Sequence, residues 1–287
     1  MIEFIQDTLL LLPFLFGTYL VLEALEAHAG DALEKSLERA RSIGPLAGAF
    51  AGVIPQCGVS AAAASFYAGG VISVGTLLAV FISTSDELLP ILFSHLFSQK
   101  ATAVAIDGPL LARIVLIKIA AAIILGFCAN ALLMFFRHFR REVSVHELCE
   151  HSHCSCSEHK GIVVPALIHT AEIFAFIVAV SGAIEFVNHF YGESWLSALR
   201  LTEPFVGEFA AGAIGLIPNC AVSAAAAEFY AEGHMSAGAL MASSFTGSGL
   251  GLIVLFRTNR NWKENLAILA TVYFAGVFFG WLAGHCI

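Results

Sequence analysis

Gly52-Val-Ile-Pro-Gln-Cys-Gly-Val-Ser-Ala-Ala-Ala-Ala-Ser-Phe-Tyr-Ala-Gly-Gly70 decides how this chain is read, because it occurs twice. The second copy is Gly215-Leu-Ile-Pro-Asn-Cys-Ala-Val-Ser-Ala-Ala-Ala-Ala-Glu-Phe-Tyr-Ala-Glu-Gly233, displaced by 163 residues without a gap. Between Gly52 and Leu77, 17 of 26 positions match their partners. A repeat whose period is half the chain is a two-fold duplication and not a solenoid. In an apolar chain, that pattern predicts a transporter assembled from two repeats.

Composition sets the environment. The 287 residues are 58% hydrophobic and 13% charged, against about 25% charged in soluble domains. Long apolar runs recur from end to end, which predicts a polytopic all-α protein in a lipid bilayer. The net charge of -8 says little about partners, since Lys and Arg placement sets topology. Nothing points to nucleic acid, and no signal peptide is expected at Met1-Ile-Glu-Phe-Ile-Gln-Asp7, which has no basic region. Three of the seven cysteines share one polar loop and the rest lie in or beside apolar segments, which is not a disulfide framework.

The expected segments follow the hydropathy. The first repeat, residues 1–136, holds spans at 4–27, 71–97 and 109–136, with the motif segment 46–69 broken at Pro55. A polar loop covers 137–160. The second repeat, 161–287, has spans at 161–190, 236–256 and 264–287, with its motif segment 205–231 broken at Pro218. The arms of the motif segments are too short to span a core of about 30 Å. Basic residues cluster at Lys35/Arg39/Arg41, at Arg137/Arg140/Arg141/Lys160 and at Arg257/Arg260/Lys263. All three clusters fall in the cytoplasm only if each motif segment is a re-entrant hairpin. The termini are then outside, and three crossings per half make the halves inverted. With hairpin arms counted separately the chain has ten helices. Arg113 and Lys118, near the start of their span, are able to snorkel, and Gly276, Gly280 and Gly284 form a helix-packing stripe.

Three groups of residues carry candidate chemistry. Pro55 and Pro218 each break a helix at membrane depth, so two helix N-termini should face each other across the midplane. Gln56, Cys57 and Ser60, with Asn219, Cys220 and Ser223, are the expected substrate-binding set. A helix N-terminus favours thiolate, and thiolate suits soft metals and arsenic(III)-like species; the alternative is cysteine as small apolar filler. The second group is Ser83, Ser85, Asp86 and Glu87, aligned with Thr246 and Ser248. Unwound carbonyls, hydroxyls and one carboxylate suit a coupling cation, H⁺ or Na⁺. Alternatively the acids cap the following half-helix. The third group is the loop His146, Cys149, His151, His153, Cys154, Cys156 and His159, a metal-capture composition without a zinc-finger spacing. Glu23, His169, Glu172, Glu185 and His189 are further polar residues in the first spans, open to a proton relay, to metal binding or to an interfacial role.

These residues resemble those of a known family. The duplicated Ile-Pro-(Gln/Asn)-Cys-x-Val-Ser-Ala-Ala-Ala blocks, the ten-helix count and the central His/Cys loop look like the ten-helix heavy-metal exporters, of the arsenic efflux or manganese transporter type. The resemblance covers nearly the whole chain. It implies a bacterial inner-membrane secondary transporter, working in efflux by alternating access. No Walker-type phosphate loop is visible and no catalytic constellation is evident, so neither ATP drive nor enzyme activity is expected. The second expectation is an ion-coupled transporter of a small organic or inorganic anion held between the two helix N-termini.

Overall fold

The computed structural model describes residues 43–54, 57–85, 88–97, 104–135, 201–218 and 220–287, with isolated positions in 16–20 and 163–175. Every regular element among the described residues is helical. We number them α1 (Ile43–Gly52), α2 (Cys57–Ala68), α3 (Val74–Ser83), α4 (Leu88–Phe97) and α5 (Gly108–Phe135). The second half supplies α6 (Val206–Gly215), α7 (Cys220–Ala231), α8 (Ala237–Thr246), α9 (Leu250–Thr258) and α10 (Trp262–Ala283). The bounds of α1, α2 and α3 recur in α6, α7 and α8 at the 163-residue offset of the sequence repeat. The expected first spans, 4–27 and 161–190, lie outside the described residues apart from isolated positions.

The repeated residues explain the repeated bounds. A proline bars the helical conformation for the residue before it, so α1 and α6 stop upstream of Pro55 and Pro218. Each closes with the same short turn, Ile54 N–H to Ala51 O and Ile217 N–H to Ile214 O. Pro218 sits two residues before α7, in the connection and not inside the helix. At the far end, Gly70 (φ 72°) and Gly233 (φ 79°) take the left-handed conformation. The bonds Val71 N–H to Phe66 O and His234 N–H to Phe229 O complete a glycine-based helix stop. Ser73 and Ser236 then cap the next helix, their hydroxyls accepting from Thr76 and Ala239 N–H.

Small residues fix how the helices run. Gly44 lies against Thr76, Gly48 against Thr76 and Val80, and Gly52 against Ser83, so α1 runs parallel to α3. In the second half Glu208 lies against Gly238, and Gly215 against Ser243 and Thr246, so α6 runs parallel to α8. The connections leaving α1 and α6 are therefore level with the ends of α3 and α8, and α2 and α7 lead back to the starts of those helices. Each motif is a helical hairpin. The expected glycine stripe does what its spacing implies. A Cβ on Gly276, Gly280 or Gly284 would come within 2.6 Å of Thr246 Cγ2, 2.6 Å of Ala242 Cα and 2.9 Å of Gly238 Cα. That register makes α8 and α10 antiparallel. Gly126 against Gly75 gives α3 and α5 the same relation.

The halves also exchange partners. α2 packs on α9 and α7 packs on α4. Ser60 lies beside Gly251 near the start of α9, while Tyr67 Oη donates to Glu264 Oε1 just beyond its end, so α2 and α9 run the same way. Glu228 of α7 reaches His95 of α4 at 3.2 Å.

Four stretches among the described residues are long and apolar enough to cross a membrane: 74–93, 108–132, 237–258 and 262–283. Their surroundings differ. The unbroken ones, α5 and α10, are each only 33% buried, whereas the interrupted stretches 74–93 and 237–258 are 75% and 94% buried. Irregular backbone at membrane depth survives only inside protein, so the fold keeps its broken helices within and turns the continuous ones outward. Leu116, Ile124, Phe127 and Leu132 on α5, and Leu266, Phe274, Phe278 and Leu282 on α10, form the exposed apolar faces suited to lipid.

Candidate functional site

The two broken helices, α3 into α4 and α8 into α9, pack against each other at α3 and α8. A helix end leaves its last carbonyls without intrahelical donors and carries partial negative charge. Two such ends meet here. Thr84 caps α3 with non-helical backbone (φ -55°, ψ 131°). Past α8, Gly249 opens α9 at φ 53° and ψ -137°, a backbone region that a side chain disfavours. Gly249 stands at the repeat position of Asp86.

The expected hydroxyls gather at these ends. Ser83, Ser85, Thr246 and Ser248 are all buried. Ser83 Oγ donates to Ala79 O (2.8 Å) and Val80 O (3.1 Å), and Thr246 Oγ1 makes the equivalent bonds to Ala242 O and Ser243 O, both 3.1 Å. Ser85 Oγ donates to Ser83 O at 3.2 Å. Ser248 differs. It is 1% exposed and its hydroxyl has no hydrogen-bond partner among the described residues. Leaving a hydroxyl so buried costs about 1–3 kcal/mol, which makes Ser248 a candidate contact for a ligand.

The hairpins bring their serines to the same breaks. Ser60 is fully buried, and its carbonyl and Cβ lie 2.9 Å from the place a Cβ on Gly251 would take. The half-buried Ser223 has its hydroxyl 3.8 Å from the corresponding point on Gly247. Cys57 and Cys220 are the first residues of α2 and α7. Pro55, Gln56, Asn219, Asp86 and Glu87 lie outside the described residues, as does the loop His146–His159. So do Glu23, His169, Glu172, Glu185 and His189.

Lys118 corrects the sequence reading. It does not snorkel, because it is fully buried. Its Nζ donates to Thr84 O at 2.5 Å, to Ser244 O at 3.1 Å and to Ser244 Oγ at 2.5 Å, and it lies 5.6 Å from the Phe245 ring centre. The ammonium thus joins the free carbonyls of both helix breaks. Depth was the missed signal: ten residues into α5 is about 15 Å along the axis, half of a core about 30 Å thick, and beyond easy reach of a surface. Gly126 on Gly75 corresponds to Gly280 on Gly238, which pairs Lys118 with the buried Val272. The lysine, like Asp86, belongs to the first half alone.

Ser248→Ala should leave thermal stability within about 1 kcal/mol of the parent, or raise it, because no hydrogen bond is lost. If the hydroxyl serves a ligand, the same variant should lose ligand-induced stabilisation. A clear drop in unliganded stability would show that Ser248 has a structural task instead.

No family model, curated protein or solved structure matches the chain.

Proposed function

We propose that this protein is a secondary-active transporter built from two inverted repeats, with ten helices when hairpin arms are counted separately. The observation that carries the proposal is the crossing of two interrupted, buried helices, each flanked by a hairpin whose connection is level with the break. α2 returns antiparallel to α3 yet runs parallel to α9, so the two broken helices run in opposite senses. This supports inversion of the halves. Opposed hairpins around one polar centre suit alternating access better than an open pore.

In this reading the hairpins are re-entrant, the termini lie outside and the 137–160 loop is cytoplasmic, in a bacterial inner membrane. The substrate sits between the hairpin connections, held by Gln56, Cys57, Ser60, Asn219, Cys220 and Ser223. We favour export of a heavy metal or metalloid, coupled to H⁺ or Na⁺ at the helix breaks, because two cysteines open the paired helices. A small-anion substrate is the second reading, favoured by α2 and α7 both starting at the hairpin connections, where helix N-termini attract negative charge.

The proposal is tested by thermal stabilisation of the purified protein against a panel of metals, arsenite and organic anions, followed by flux in proteoliposomes. Stabilisation by arsenite or soft metals, lost in Cys57→Ser, supports the first reading. Stabilisation by anions indifferent to that change supports the second.

The His146–His159 loop lies outside the duplicated plan, so it should tune transport without creating it. Deleting it should weaken metal handling at low metal and leave flux at saturating substrate intact. Complete loss of flux in a well-folded deletion variant would place the loop in the transport path.

A further inference from the structure

We infer that Lys118 is the resident cation of the helix crossing, and that the crossing is therefore closed to Na⁺. The inference rests on the transporter reading only for its consequence, Na⁺-independent transport, which narrows the coupling ion of that reading to H⁺; the cation site itself stands on the geometry. Two helix breaks with exposed carbonyls and nearby hydroxyls make the kind of place where secondary transporters bind Na⁺. Here that place is filled from within. Thr84 O, Ser244 O and Ser244 Oγ, two carbonyls and a hydroxyl from the two halves, all accept from the Lys118 ammonium. These are oxygens that a sodium ion would need.

A second cation cannot share them. Two like charges about 4 Å apart repel strongly at the effective dielectric of a protein, lowering sodium affinity by roughly a thousandfold. The hydroxyls of Ser83 and Thr246 also direct their hydrogens to carbonyls of their own helices. Lys118 is anchored on α5, one of the two continuous outward-facing helices, yet its charge joins the ends of the two buried ones. It holds the halves together at the point where their negative helix ends would otherwise repel. Its counterpart Val272 supplies no second charge, so among the described residues one tethered cation serves both breaks.

The experiment measures thermal unfolding of the purified full-length protein in NaCl and in choline chloride at equal ionic strength. Lys118→Ala and Lys118→Gln are compared with the parent, and n-propylammonium is a third cation. The parent should unfold at the same temperature in sodium and in choline. Lys118→Ala should unfold lower and recover part of the loss with sodium or n-propylammonium, but not with the larger choline. Lys118→Gln, which keeps much of the side-chain volume, should gain the same sodium dependence if the alanine variant does not fold. Sodium-specific stabilisation of the parent would overturn the inference while leaving the transporter reading standing. A folded Lys118→Ala or Lys118→Gln without any response to small cations would overturn it as well. A protein that carries no solute in liposomes would sink the transporter reading and leave these unfolding results unaffected.

Discussion

Gly280→Leu is expected to destabilise the protein by about 3 kcal/mol or more, the largest folding defect of any single change considered. A Cβ at this position would lie 2.6 Å from Ala242 N, Cα and Cβ. Those atoms belong to the backbone and first side-chain carbon of α8, and no rotamer change moves them aside. Relief requires α10 to lift from α8, which would also separate Gly276 from Thr246 and Gly284 from Gly238. In a bilayer the loss is not offset by the hydrophobic effect, because lipid is as apolar as the helix face and close packing supplies the association. Gly284→Leu should be milder, since Gly284 is exposed beyond the last turn of α10. Denaturant or thermal unfolding in detergent checks the order. Equal stability of Gly280→Leu and the parent would contradict the assigned register of α8 and α10.

Asp86→Asn is expected to abolish accumulation of substrate against its gradient, to the level of protein-free liposomes, while the protein keeps its fold and much of its substrate binding. Asp86 follows Thr84 by two residues, and the Thr84 carbonyl accepts from Lys118. A carboxylate in an apolar span is costly unless it meets a cation or a proton. Asparagine keeps the shape but carries neither charge nor an exchangeable acid proton. The second half offers no replacement, because the repeat partner is Gly249. Glu87 is adjacent in sequence, but neighbouring positions on a helix point about 100° apart, so it should replace Asp86 poorly. Accumulation by Asp86→Asn equal to the parent's, measured in proteoliposomes under an imposed gradient, would leave Asp86 as a helix cap.

Much of this architecture is legible in the residues. The duplicated Ile-Pro pairs announce where α1 and α6 must end. The polar runs beginning at Ser83 and Thr246 announce the breaks after α3 and α8. The glycines at 276, 280 and 284 announce a close helix contact. Each of these is a local signal, fixed by backbone chemistry or by spacing on one helix. The exchange that sets α2 on α9 and α7 on α4 is a different matter. Both hairpin helices are apolar nearly all round, so periodicity marks no single buried face and names no partner. Lys118 escapes for a related reason. A lysine in an apolar span reads as snorkelling unless its depth is counted, and its acceptors, Thr84 O and Ser244 O, are backbone atoms that carry no sequence signature. Ser244 carries no distinguishing mark beside Thr246, because a serine inside an apolar helix ordinarily bonds its own backbone.

The most direct test of the inverted arrangement uses the two motif cysteines. In a variant whose other cysteines are replaced by serine, a membrane-impermeant thiol reagent is applied to right-side-out and to inside-out vesicles. The two hairpins enter from opposite faces in this account, so Cys57 should react from the cytoplasmic side and Cys220 from the outside, with substrate shifting the balance between them. Reaction of both cysteines from the same side, unaffected by substrate, would contradict inverted hairpins around a shared site.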